Sequence, residues 1–118
     1  MKIGFSLFAL VVLISMSPSS FAGGDVAAGQ EKNTSKGCVD CNGTDGNSPS
    51  PSNEPIQPPR LAGQHADYLE KALEDYASGA RQSPFMVGFA ATLSEQDRAD
   101  LAAFYASQKG LEIIRYDQ

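Results

Sequence analysis

The sequence predicts a small all-α domain of short helices broken by one long proline- and glycine-rich loop. Three observations lead there. Apolar residues recur at three- and four-residue steps in separate segments, as one face of a helix requires. No stretch after residue 22 alternates apolar and polar residues in the manner of a strand. Five of the seven prolines crowd into residues 42–60, Asn-Gly-Thr-Asp-Gly-Asn-Ser-Pro-Ser-Pro-Ser-Asn-Glu-Pro-Ile-Gln-Pro-Pro-Arg, where neither helix nor sheet is sustained.

The chain of 118 residues opens on an export signal. Met1-Lys2 supplies the positive start, Ile3–Met16 an apolar run, and Ser17–Ala22 a stretch with a breaker (Pro18) and small residues at −3 and −1 of a cleavage site. The apolar run is shorter than the roughly 20 residues that cross a bilayer. The expectation is therefore a signal peptide over 1–22, a mature domain over 23–118, a periplasmic location and no membrane association after cleavage.

The first helix is expected over Asp25–Lys36, with Asp25 as N-cap and a later half (Asn33, Thr34, Ser35) of poor helix formers. The second spans Gln64–Gly79, where Ala66, Leu69, Leu73, Tyr76 and Ala80 share a face and Gly79 is the stop. The third spans Ser94–Lys109. Ser94 and Asp97 form a capping box with Asp in place of Glu, and Leu101, Ala102, Phe104 and Tyr105 form the apolar face. A shorter helix fits Val87–Leu93. The long loop is expected to be functional or disordered, and residues 111–118 form a tail.

Leu, Ile, Val and Phe supply only fifteen residues after Ala22, below the ~20% usual for a self-sufficient core. A chain this small and this poor in large apolar side chains calls for a staple: a disulfide, a metal or a cofactor. The formal net charge is −5, which argues against nucleic acid and anionic membrane as partners.

The chemistry centres on Cys38-Val39-Asp40-Cys41, the only cysteines in the chain. A thioredoxin-type redox pair wants a preceding strand and a βαβ frame. Structural zinc wants four ligands, and two cysteines with His65 make three. A disulfide across so small a loop would constrain the unfolded chain little. Covalent haem uses C-x-x-C-H, two thioether sulfurs followed by the histidine that binds iron. Here Asn42 follows the second cysteine. Asp40, Asp45 and Glu54 lack the spacing of a cation loop.

Cys38–Ser48 (CVDCNGTDGNS) resembles the CxxCHGxDGNS stretch of class I c-type cytochromes, in the bacterial group that occurs as single domains and as two-domain di-haem proteins. Arg60–Leu69 (RLAGQHADYL), Tyr76–Arg81, Pro84–Ser94 (PFMVGFAATLS) and Asp100–Gln108 resemble its later segments in order. The resemblance runs over roughly residues 24–109. It implies a cytochrome c-like fold with haem c, electron transfer rather than enzymatic catalysis, and transient encounters with periplasmic redox proteins. Residue by residue, it implies thioethers at Cys38 and Cys41, Met86 as distal iron ligand, and Gly29 as the glycine that lets the first helix approach the last at Phe104 or Tyr105. Arg60 and Arg81 are candidates for haem propionates or simple surface charges. Tyr68 and Tyr76 read as packing residues, and His65 as a surface residue at a helix start.

The departure lies at Asn42, which takes the position of the family's proximal histidine. An amide offers no basic nitrogen to iron, and the bacterial attachment machinery is expected to read the histidine along with both cysteines. Three outcomes follow: haem held by Met86 with an open opposite side, haem with an unexpected fifth ligand, or a haem-free relative serving as a binding or structural module. An open-sided haem would suit weak peroxidase activity or small-ligand sensing.

Overall fold

The computed structural model describes residues 23–48 and 57–110. The proposed signal peptide, loop residues 49–56 with Glu54, and the 111–118 tail lie outside the described residues. Within them the regular structure is helical: α1 Val26–Ser35, α2 Val39–Asn42, α3 Ala66–Ser78, α4 Met86–Ala91 and α5 Glu95–Ser107.

Local chemistry sets the ends. The Asp25 carboxylate accepts the Ala28 amide at 2.7 Å and starts α1. Ser94 and Asp97 form the reciprocal capping box, each side chain taking the other's backbone N–H at 3.0 Å. Helix α3 stops at Gly79, which adopts the left-handed conformation at φ 81°. Gln64 lies before α3 and Ala80 beyond it, so neither belongs to the helix that the periodicity spans. The one-turn helix α2 has no counterpart among the expected elements, because four residues are too few to show a period.

Helix α5 is the centre of the packing. It lies against α1 on one side and α3 on another, and α3 also carries α4. The buried cluster is Leu69, Leu93, Leu101, Ala102, Phe104 and Tyr105, so the whole expected face of α5 is inside. Leu61, Ala66, Leu73 and Cys38 border it. The core is as small as the composition implies.

The long loop is closed at its neck. The Gly46 carbonyl accepts from Leu61 N (2.8 Å) and Ala62 N (3.2 Å), and the Ser48 hydroxyl donates to the Pro59 carbonyl at 2.9 Å. Asn47 Nδ2 ties the same neck to the Lys109 carbonyl at 2.9 Å. A Cβ on Gly46 would stand 2.6 Å from the Tyr105 ring, so only glycine lets the neck lie on that ring. The described neck of the loop thus sits at the C-terminal end of α5.

Candidate functional site at the CxxC turn

The turn is built by α2, with Cys38 as its N-cap and Cys41 three residues on. Both thiols are free. Cys38 is half-buried against the core cluster and Cys41 is exposed. Burial pushes the Cys38 thiol above its ordinary value.

Asn42 closes the turn and is only 8% exposed. Its side-chain Nδ2 donates to the Cys38 carbonyl at 3.3 Å, and its backbone N–H donates to the same oxygen at 3.0 Å. The amide is thus turned back on its own helix.

Behind the turn lies a buried polar pair that sequence reasoning missed. Tyr105 donates its hydroxyl to Asn33 Oδ1 at 2.6 Å. Asn33 Nδ2 donates to the carbonyls of Gly43 (3.1 Å) and Thr44 (3.4 Å), the residues just after α2. Burial holds the Tyr105 hydroxyl far above its usual range, and Cys38 is its ionisable neighbour. The poor helix formers in the second half of α1 thereby gain a reason: Asn33 is 2% exposed and ties α1, α5 and the CxxC turn together. The available signal was its place four residues after Gly29, on the face that meets α5.

Met86 is the first residue of α4, half-buried, with its N–H donated to Ser83 Oγ at 3.1 Å. The neighbouring Phe89 reaches the residue before Cys38: a Cβ on Gly37 would lie 3.5 Å from Phe89 Cε1. Helix α4 therefore borders the CxxC turn through that ring. Phe85, Phe89 and Tyr68 are each about half exposed. The expectation that Tyr68 is a packing residue is thus corrected, since it stands one step away from the Leu69–Leu73 seam. Tyr76 is half-buried beneath Arg81, whose guanidinium lies 5.0 Å from the ring centroid and 3.4 Å from the Tyr68 hydroxyl. Arg60 is exposed, and His65 is the exposed N-cap position of α3 without a side-chain capping bond.

Among the described residues no three His, Cys, Asp or Glu side chains converge as a metal site, which leaves the zinc reading without a ligand set. No strand precedes the CxxC among the described residues, and the thioredoxin reading requires one. Two reduced sulfurs on one turn beside an apolar cluster fit a group tethered through two thioethers. Asn42 does not fit an iron ligand, having neither a basic nitrogen nor a free orientation.

No protein-family model matches the chain. Individual proteins do. Cytochrome c4 of Pseudomonas aeruginosa is 43% identical over 103 residues, covering 87% of this chain and 48% of that protein. Cytochrome c-554(548) of Halomonas halodenitrificans is 42% identical over 89 residues, 73% of this chain and 99% of that one. The crystal structure of reduced recombinant cytochrome c4 from Pseudomonas stutzeri superposes with a TM-score of 0.63 at 41% identity, covering 75% of this chain and 47% of that chain. The chain spans about half the length of the cytochrome c4 relatives it matches.

Fold and site together define a small all-α domain of the cytochrome c type. The chain belongs to the c-type cytochrome family. Its cytochrome c4 relatives are electron carriers with covalently bound haem c, not enzymes.

Proposed function

We propose that this chain is a periplasmic electron carrier with one haem c tethered through Cys38 and Cys41, and with Met86 as the distal ligand. The observation that carries the proposal is the pair of free sulfurs on one helical turn, one facing the core cluster and one facing solvent. The small core and the half-exposed Phe85, Phe89 and Tyr68 support it, since a bound planar apolar group would supply the packing that the side chains lack. Haem, when bound, supplies one-electron exchange.

The residues divide the remaining work. Cys38 and Cys41 fix the group to α2. Helix α4 presents a thioether at Met86, a ligand type that favours reduced iron. The acidic surface favours encounter with partners carrying basic patches, through the small interfaces typical of electron-transfer pairs. Export by residues 1–22 puts the chain where its relatives work, and N-terminal sequencing of the mature protein should begin at Gly23.

A second reading is favoured by Asn42. Its buried amide is committed to the Cys38 carbonyl. A haem held here would keep an open side, bind small ligands and exchange electrons poorly. The absorption spectrum with and without added imidazole separates this reading from the first.

The deciding test is the intact mass of chain exported from a host with haem-attachment machinery. An increment equal to one haem, with haem-dependent peroxidase staining after denaturing electrophoresis, supports attachment. A mass equal to the bare chain removes both haem readings and leaves a haem-free module.

A further inference from the structure

We propose that the Asn42–Gly43 bond is a latent deamidation site, held shut by the fold and opened whenever the α2 turn comes apart. The site goes beyond the function proposed above and holds with or without haem.

The fold itself imposes the reactive pair. Gly43 ends α2 at φ 79° and ψ 177°, a region that essentially glycine alone occupies. Whatever stands at residue 42 must therefore be followed by glycine. With asparagine there, the next peptide nitrogen has no side chain beside it to hinder attack on the amide carbon. Asn33 and Asn47 are followed by Thr34 and Ser48, whose side chains crowd the same approach.

The step balances with water alone. The Gly43 nitrogen bonds to Asn42 Cγ, and ammonia leaves carrying the proton of that N–H. Water then opens the cyclic imide: its hydroxyl adds to one of the two carbonyl carbons, that C–N bond breaks, and the remaining proton goes to nitrogen. Breaking the bond to Cγ gives aspartate, and breaking the bond to the main-chain carbon gives isoaspartate. Nothing is oxidised or reduced.

The structure blocks each movement this needs. The Gly43 N–H is donated to the Val39 carbonyl at 2.9 Å, so the nucleophile is engaged. Asn42 Nδ2 donates to the Cys38 carbonyl at 3.3 Å, which turns the side chain back along α2 and away from the Gly43 nitrogen. Asn33 Nδ2 holds the Gly43 carbonyl at 3.1 Å and ties the turn to α1. Asn42 and Gly43 are both buried, which keeps water and solvent base from the reacting atoms.

The consequence is a record of time spent open. Either product places a carboxylate directly after Cys41. The isoaspartyl form also runs the main chain through the side-chain carbon, which lengthens it inside α2, between the CxxC and the Asn33 latch. The bonds from residue 42 to Cys38 and from Gly43 to Val39 then no longer share one helical register.

The test incubates the full chain in mildly alkaline buffer, with and without concentrated guanidinium chloride. Amide-to-acid conversion at each asparagine is followed by peptide mass and fragmentation. In denaturant Asn42 should convert ahead of Asn33 and Asn47, and at least about tenfold faster than it does in native buffer, where only opened chains react. Asn42→Gln should stay unconverted in denaturant over the same period, because its longer side chain closes the wrong ring size. Asn33→Ala should raise the Asn42 rate in native buffer and leave the rate in denaturant unchanged. Equal Asn42 rates in the two buffers would overturn the proposal. So would Asn33 or Asn47 converting as fast as Asn42 in denaturant. An Asn33→Ala protein whose native rate matches the parent would overturn the role given to that latch.

Discussion

Gly29 and Asp100 meet backbone to backbone: a Cβ built on Gly29 would lie 2.0 Å from the Asp100 carbonyl oxygen and 2.6 Å from Phe104 Cβ. Helices α1 and α5 cross at this point, and no rotamer of any side chain relieves a clash with a main-chain oxygen. Gly29→Ala should therefore destabilise the domain, although alanine is the better helix former by about 1 kcal/mol. Forcing the helices apart costs about 3 kcal/mol or more. A shift of the urea midpoint to lower concentration checks this, and an unchanged midpoint would show that the crossing has slack.

The α1–α5 contact is also electrostatic. Lys32 Nζ lies 2.9 Å from Asp97 Oδ1 and 2.5 Å from Asp100 Oδ2, while Asp100 Oδ1 accepts from the Asp25 N–H and from Gln96. Hydrogen bonding to Lys32 holds the Asp97 carboxyl below the ordinary carboxylate range. Burial pushes Asp100 up, but Lys32, the Asp25 N–H and Gln96 outweigh it, and the net shift is down. Lys32 is raised, first by its bond to Asp100.

The signs fix the pH window. Depressed carboxyls contribute stability that is present above the unfolded value of about 4 and lost as pH falls through the folded ones. The raised lysine contributes below about 10 and loses its contribution at higher pH. The network is complete between those limits. Lys32→Met should cost about 2 kcal/mol at pH 7, because it leaves Asp100 buried without its cation. It should also flatten the fall in stability between pH 4 and 2. Urea titrations at pH 7 and pH 3 test both, and an acid slope equal to wild type would refute the assignment.

Ser94→Ala removes the hydroxyl that accepts the Asp97 N–H. An N-cap of this kind contributes about 1 kcal/mol. The loss should exceed that of an isolated cap, because Asp97 also pairs with Lys32 and, at 3.6 Å, with Lys36. A double-mutant cycle with Lys32→Met would expose the coupling as non-additive losses. Strict additivity would show that the cap and the ion pairs act separately.

Periodicity exposed α5 fully because one strong cap and one continuous apolar face act together there: Leu101, Ala102, Phe104 and Tyr105 are all buried. It located α3 and α4 to within two residues at each end. Helix α1 was legible over its whole length, from Asp25 as cap to Lys36, but the role of Asn33 was not, since its value lies in a contact with Tyr105 that is 72 residues away in sequence. Local propensity counts such a residue as a defect, and tertiary hydrogen bonding overrides it. Cys38, Cys41 and Asn42 were legible from spacing. How deeply each is buried was not, because one turn of helix puts successive residues on different faces. That Tyr68 is exposed while Leu69 is buried has the same cause.

Asn42→His restores a basic nitrogen at the end of α2. The cost to the haem-free chain should be small, about 1 kcal/mol or less, because the Cys38 carbonyl keeps the backbone N–H of residue 42 when the side-chain bond is lost. The effect on the tethered chain should be large. Imidazole is a strong iron ligand where an amide is not. Expressed beside the parent in a host that attaches haem, the variant should carry a haem mass increment on a greater fraction of chains. Its visible spectrum should also stop responding to added imidazole. An equal haem fraction in the two proteins, with identical imidazole responses, would show that residue 42 does not set the iron's environment. The second reading of the site would then fall.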